Sequence, residues 1–238
     1  MDEEAIRLNK AMANLGICSR READRIIESG RVFINNSKVT EIGIKVSEGD
    51  KIKIGDKEYI FTRKKKTRVW LYYKPVGLVT THQDEKGRPT VFDDVSSKIS
   101  ERVISVGRLD LNSEGLLILT NDSEFARMAE SPKNKWERRY KVRVFGNLTK
   151  SIIKTLGKGI TINGINYAPI IVNVLRKSNG KNHWVECTLT EGKNREIRKV
   201  FNHFGIAVNK LIRIQYGPYA LENMQQGEIK ETTKITFK

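Results

Sequence analysis

The stretch Val106-Gly-Arg-Leu-Asp-Leu-Asn-Ser-Glu-Gly-Leu-Leu-Ile-Leu-Thr-Asn-Asp122 constrains the chain most. Ile104 to Val106 is short and β-branched at its ends, and Leu116 to Leu119 is a continuous apolar run, the pattern of a strand buried on both faces. The polar loop between them holds Arg108, Asp110 and Glu114, with glycines at 107 and 115. Anchoring both ends of a loop in core strands is one way to fix reactive groups. A tight turn with a solvated charge pair fits equally well, and the loop alone slightly favours that plainer reading.

The rest of the chain moves the balance. The 238 residues carry a formal charge of +16, which points to a polyanion, most simply nucleic acid. Residues 1–62 hold 11 Lys+Arg against 11 Asp+Glu, so the excess lies elsewhere. Residues 63–68, Arg-Lys-Lys-Lys-Thr-Arg, read as a basic linker, and residues 69–238 carry most of the remaining surplus. No run of eighteen apolar residues is present, and the acidic start lacks an apolar signal segment, so a cytoplasmic protein with no membrane partner is expected. Cys18 and Cys187 read as buried thiols, and His82, His183 and His203 have no ligand-like spacing with them, so no metal is expected.

Leu8, Met12 and Leu15 give a helical spacing over residues 6–15, which Gly16 ends. Ser19 followed by Glu22 is a capping-box pattern for a second helix to Ser29, with Gly30 at its C′ position. Arg20, Arg21 and Arg25 share its exposed face and Arg31 lies just beyond, a grouping suited to phosphate contact but also to a plain solvated face. Val32–Ile34 and Lys51–Ile54 alternate like short strands.

After the linker, Val69 to Tyr73 reads as a strand, Lys74-Pro-Val-Gly77 as a turn and Arg88-Pro-Thr-Val-Phe-Asp-Asp-Val95 as a short helix. Ser123 caps a helix through Glu130. Arg139 to Phe145 alternates, with Tyr140, Val142 and Val144 on one face. Asn163-Gly164 marks a hairpin, residues 170–175 and 183–190 two more strands joined by a turn, residues 211–216 a further strand, and 234–237 a last one. In Glu191-Gly-Lys-Asn-Arg-Glu-Ile-Arg-Lys-Val-Phe-Asn-His-Phe-Gly205, Asn194 is expected to cap a helix whose first turns carry Arg195, Arg198 and Lys199. Cations are disfavoured there by the helix dipole, which suggests an anionic partner, a phosphate or a buried carboxylate. The whole implies an α+β chain: residues 1–62 as one domain, 63–68 as linker, and 69–238 as a second domain on a mostly antiparallel sheet with flanking helices.

Two resemblances attach to these residues. Arg7-Leu-Asn-Lys-Ala, Leu15-Gly-Ile-Cys-Ser-Arg-Arg-Glu-Ala-Asp, Gly30-Arg-Val and Ile34-Asn resemble the S4 RNA-binding domain, over about 50 residues. The 106–122 stretch, with Lys74-Pro-Val-Gly77, Arg88-Pro-Thr-Val-Phe-Asp93 and Glu191-Gly-Lys-Asn-Arg-Glu-Ile-Arg198, is similar to the RNA pseudouridine synthases of the RsuA/RluB family. Its RluB type, a modifier of 23S ribosomal RNA, looks most similar. The family often has Asp-Thr where this chain has Asn112-Ser113, which keeps the hydroxyl.

The resemblance implies a catalytic Asp110, acting as nucleophile or base, an Arg198 that pairs with it, and a Tyr140 that stacks on the uracil. It implies an Arg108 that fills the space left by a flipped base, and an Ile212 that lines the base pocket. Lys74, Arg195 and Lys199 are expected among the RNA contacts, with Arg20, Arg21, Arg25 and Arg31 upstream. Uridine isomerisation gains and loses no atoms, so no cofactor is required. A monomer acting on ribosomal RNA is the expectation. Two other classes compete: a non-enzymatic RNA-binding or ribosome-assembly factor, which leaves the Arg-Leu-Asp loop unexplained, and a glycoside hydrolase with Asp110 and Glu114 as its carboxylate pair, which leaves the basicity unexplained.

Overall fold

The structure, a computed structural model, describes residues 5–62, 66–177 and 181–236. Part of the basic linker, residues 63–65, part of the turn at 178–182, and Phe237 of the expected last strand lie outside the described residues. Two compact units are present: one comprises the described residues up to Arg68 with Ile99–Ile104 and Asn121–Ser123, the other the remainder.

The first unit contains β1 (Ile6–Arg7), α1 (Leu8–Asn14), α2 (Arg20–Glu28), β2 (Val32–Ile34), β3 (Ser37–Val39), β4 (Lys45–Val46), β5 (Lys51–Ile54) and β6 (Lys57–Ile60). Its four-stranded sheet runs β3-β2-β5-β6, and β1 pairs with β4. The first helix therefore starts two residues later than its periodicity suggests, because Ile6 and Arg7 are extended opposite Val46 and Lys45. Ser19 Oγ accepts from Glu22 N at 3.1 Å, while the Glu22 carboxylate turns to Arg25 at 3.5 Å, so only half of the capping box forms. Gly30 has φ 68° after the α2 C-cap, the left-handed exit that glycine adopts without a Cβ clash. Leu8, Met12, Ala23, Ile27, Val32, Ile52 and Phe61 form a closed apolar core. Arg20, Arg21, Arg25 and Arg31 are all exposed.

The second unit contains β7 (Val69–Lys74), α3 (Val91–Ser96), β8 (Ile104–Val106, shared across the boundary), β9 (Glu114–Thr120), α4 (Ser123–Glu130), β10 (Arg138–Phe145), α5 (Lys150–Leu156), β11 (Ile160–Ile162), β12 (Ile165–Tyr167), β13 (Ile171–Lys177), β14 (Asn182–Leu189), α6 (Glu196–His203), β15 (Ala207–Tyr216), β16 (Tyr219–Ala220) and β17 (Ile229–Thr232). The main sheet runs β13-β14-β10-β15-β9-β7-β17, with β16 on β15 and β8 on β9. Along this path the strands pair antiparallel except β15 with β9, which is parallel, so the α+β reading with a mostly antiparallel sheet holds. β9 is buried along its whole length, as its unbroken apolar run requires. Thr90 caps α3 through a full capping box with Asp93, so the helix begins at Val91 and Pro89, expected at its first position, lies before the cap. The last strand on the sheet is β17, paired with β7; residues 234–236 form no strand.

Candidate active site

The loop from Gly107 to Ser113 hangs between β8 and β9, and its backbone is held from outside at five consecutive carbonyls. Thr80 Oγ1 donates to Leu109 O at 2.9 Å. Lys74 Nζ donates to Asp110 O at 3.3 Å and to Ser113 O at 2.9 Å. Gly77 N donates to Leu111 O at 2.9 Å, and Arg198 Nη2 to Asn112 O at 2.7 Å. Below the loop, Gly115 (φ 108°) lets β9 come against β15: a Cβ there would lie 2.3 Å from Arg213 O.

This geometry corrects the expectation for Lys74. Its side chain is fully buried, the end of β7 points it under the loop, and it binds carbonyl groups and no solvent-facing phosphate. Burial pushes its ammonium down to about 8, against the pull of Asp110 and Glu114. Glu114 is 3 % exposed, paired with Lys210 at 2.9 Å and receiving Gln226 Nε2 at 2.9 Å, so it belongs to β9 and is no second cleft carboxylate. That removes the carboxylate pair on which the glycoside hydrolase alternative stood.

Asp110 lines a cleft of about 920 Å³, built within the second unit. Its cationic neighbour is Arg195, Nη1 to Oδ2 3.7 Å. The expected direct pair with Arg198 does not form, because Arg198 gives Nη1 to Val208 O at 2.8 Å and Nη2 to Asn112 O. Arg198 still feels the Asp110 charge, although burial lowers its guanidinium from the usual value. The roles of the two arginines divide: one faces the carboxylate, the other ties its loop to α6. Arg195 does this from a left-handed conformation (φ 52°, ψ 34°) at the position before α6, and Asn194, expected as the cap, instead accepts from Lys199 Nζ at 3.2 Å. Lys199 is exposed outside the cleft lining, and Arg108 is exposed on it.

The cleft floor comes from β10, β14 and β15. Tyr140 is 8 % exposed and lines it, as do Arg138, Leu189, Leu211, Arg213 and Tyr216. Ile212 does not: strand side chains alternate, so its neighbours Leu211 and Arg213 take the cleft side and Ile212 the other. The pairing skips a residue between Arg213 and Gln215, and this extra residue brings Tyr216 back to the same face as Arg213. Tyr216 then lies between two guanidiniums, with Arg138 Cζ 4.6 Å and Arg213 Cζ 5.0 Å from its ring centre. Its hydroxyl accepts from Arg138 Nη2 at 2.8 Å and donates to Ala129 O at 3.1 Å. Leu211 and Arg213 were within reach of the sequence through strand parity; Thr80, Arg138 and Tyr216 had no local signal.

No group of three or more His, Cys, Asp or Glu side chains among the described residues is arranged to hold a metal, and no described helix is long and apolar enough to cross a membrane.

The S4-domain family model matches residues 6–52, and the model described as RNA pseudouridylate synthase matches residues 68–203. An S4 domain followed by a sheet-borne cleft that holds Asp110, in the stretch matched by the RNA pseudouridylate synthase model, is the make-up of an RNA-modifying enzyme. The chain belongs to the RNA pseudouridine synthase family. An "Uncharacterized RNA pseudouridine synthase" of Rickettsia bellii (strain RML369-C) is 47% identical over 232 residues, 98% of this chain and 99% of the relative. "Ribosomal large subunit pseudouridine synthase B" of Escherichia coli (strain K12) is 40% identical over 222 residues, 90% of this chain and 75% of the relative. Among solved structures, a "Crystal structure of pseudouridylate synthase" superposes with a TM-score of 0.67 at 26% identity, covering 96% of both chains.

Proposed function

We propose that the protein converts a uridine of ribosomal RNA, in the large-subunit 23S species, to pseudouridine, with Asp110 as the catalytic carboxylate. The observation that carries this reading is the placement of Asp110 on the same cleft as Tyr140, with Arg195 opposite at 3.7 Å. The large-subunit assignment is supported by the Escherichia coli relative's name, and the cytoplasm is where such a substrate lies. The S4 domain and the basic surplus supply sequence-independent affinity for the backbone.

In the reaction the N1–C1′ bond breaks, the uracil turns within the cleft, and a C5–C1′ bond forms. The C5 proton leaves and N1 regains one, so atoms balance without a co-reactant. Asp110 starts the sequence by attacking the sugar or ring, or by taking the C2′ proton. Arg195 supplies the counter-charge that a partly dry site demands. Extruding the base costs a few kcal/mol, and stacking on Tyr140 recovers roughly 1–3 kcal/mol, with Arg108 at the rim placed to enter the vacated stack.

The test is Asp110→Asn assayed on a large-subunit rRNA transcript. Isomerisation falls to background while RNA affinity stays within about three-fold; pseudouridine formed by the variant would overturn the assignment.

A further inference from the structure

The turn that presents Arg195 contains two acidic side chains that the proposed chemistry does not use. Glu196 is 4 % exposed. Its Oε2 accepts from Lys193 N at 2.9 Å, and its Oε1 has no partner among the described residues unless one of two carboxyls carries a proton. Glu191 is that second carboxyl, within hydrogen-bonding reach of Glu196. The other contacts of Glu191 are fixed: Oε1 accepts from Ala168 N at 2.6 Å, and Oε2 pairs with Lys193 Nζ. The backbone between them is closed by Glu196 N donating to Lys193 O at 3.2 Å. Arg195 is held in its left-handed conformation inside this closed turn, a strained state that costs about 1–3 kcal/mol and persists only when its surroundings enforce it.

We propose that Glu191 and Glu196 share one proton, and that this half-neutral pair is the latch that holds the 191–196 turn and so positions Arg195 against Asp110. The inference rests on the reading of Asp110 as the catalytic carboxylate. Two ionised carboxylates in contact would repel and open the turn; with one proton between them, every oxygen has a donor or a use. Burial, then the hydrogen bond it donates to Glu191, raise Glu196 to about 8, while at Glu191 the effect of burial is outweighed by the hydrogen bonds from Lys193, Ala168 and Glu196, which favour its charged form.

Among the described residues of the two strands packed most closely on α6, none offers a competing counter-charge. α6 packs against β11 and β15. β11 carries no titratable side chain, and on β15 Lys210 is engaged with Glu114 and Arg213 with Leu116 O. Arg138, beside Gly192, gives its Nη atoms to Trp136 O, Thr190 O and Tyr216. Glu191 and Glu196 are therefore positioning residues.

The experiment follows glutamate δ-carbon shifts with pH in the full chain, and kcat on an rRNA transcript from pH 6 to 9, for wild type, Glu196→Gln and Glu191→Gln. One glutamate carboxyl keeps its proton to near pH 8 in wild type and is lost from the spectrum of high-titrating groups in each variant. Wild-type kcat falls five-fold or more relative to Glu196→Gln between pH 7 and 9, with KM changed less than two-fold; Lys74 titrates in both proteins and cancels in the comparison. Absence of any high-titrating glutamate, or parallel kcat profiles, overturns the latch. If wild type forms no pseudouridine, it is the proposed reaction that falls, and the titration alone then decides the shared proton.

Discussion

Arg195 Nη1 stands 3.7 Å from Asp110 Oδ2, while Arg198, one helical turn on, gives both Nη atoms to backbone carbonyls. The two substitutions therefore separate. Arg195→Met leaves the melting temperature within about 2 °C, since its side chain is 45% exposed, but lowers kcat at least ten-fold. Arg198→Met strands the carbonyls of Asn112 and Val208 and lowers both stability, by about 2–3 kcal/mol, and kcat. Chemical denaturation beside single-turnover kinetics reads the two effects.

Lys74→Met tests whether that lysine holds the loop or the RNA. Removing Nζ leaves the carbonyls of Pro75, Asp110 and Ser113 without it. Stability falls by about 2–4 kcal/mol, whereas RNA affinity of the folded variant, measured below its melting transition, changes less than two-fold. A large loss of affinity with unchanged stability would return Lys74 to the RNA-binding surface.

Gly115→Ala drives a Cβ into the Arg213 backbone, 2.3 Å from its carbonyl oxygen, at a φ of 108° that alanine avoids. Neither strand can retreat, because the parallel β9–β15 pairing joins the two halves of the sheet there. The variant is expected to lose more than about 3 kcal/mol, or to fail to accumulate; a thermal scan decides.

Stability should fall as pH rises between about 4.5 and 8 through the Glu191–Glu196 pair. The native pair keeps a proton up to about 8 that the unfolded chain releases near the ordinary glutamate value of 4.5. The folded state thus binds more protons across that window, and raising pH favours unfolding. Glu196→Gln removes this contribution, so urea midpoints of the variant decline less steeply between pH 5 and 8 than those of wild type.

Leu211→Ala should lower kcat/KM on rRNA by ten-fold or more, because Leu211 lines the cleft beside Tyr140, while Ile212→Val, on the opposite face of β15, changes it less than two-fold. The reverse order would restore Ile212 to the pocket.

Local rules carried much of the architecture. The alternation of Tyr140, Val142 and Val144, the exit at Gly30 and the Asn163-Gly164 hairpin each depend on neighbours a few residues away, and each appears where its pattern places it. The site was legible as to which segments meet, less so as to which atoms meet. Arg195 replaces Arg198 at Asp110 because a left-handed residue before α6 redirects the side chain, and nothing in Asn-Arg-Glu announces positive φ on arginine. Ile212 yields to Leu211 by a one-residue parity that depends on register with β10. Lys74 reads as a surface cation until β7 is placed beside β9, a pairing across some forty residues.

Five bound carbonyls in a row leave the Asp110 loop with no soft direction of motion. Its backbone should be as ordered on the nanosecond timescale as the flanking strands, read by 15N relaxation, although it is a loop, and RNA should order it little further. On the proposed reading of Asp110, the reorganisation energy of binding then falls on the nucleic acid, and uridines are told apart by how readily each surrounding RNA segment deforms to meet a fixed carboxylate.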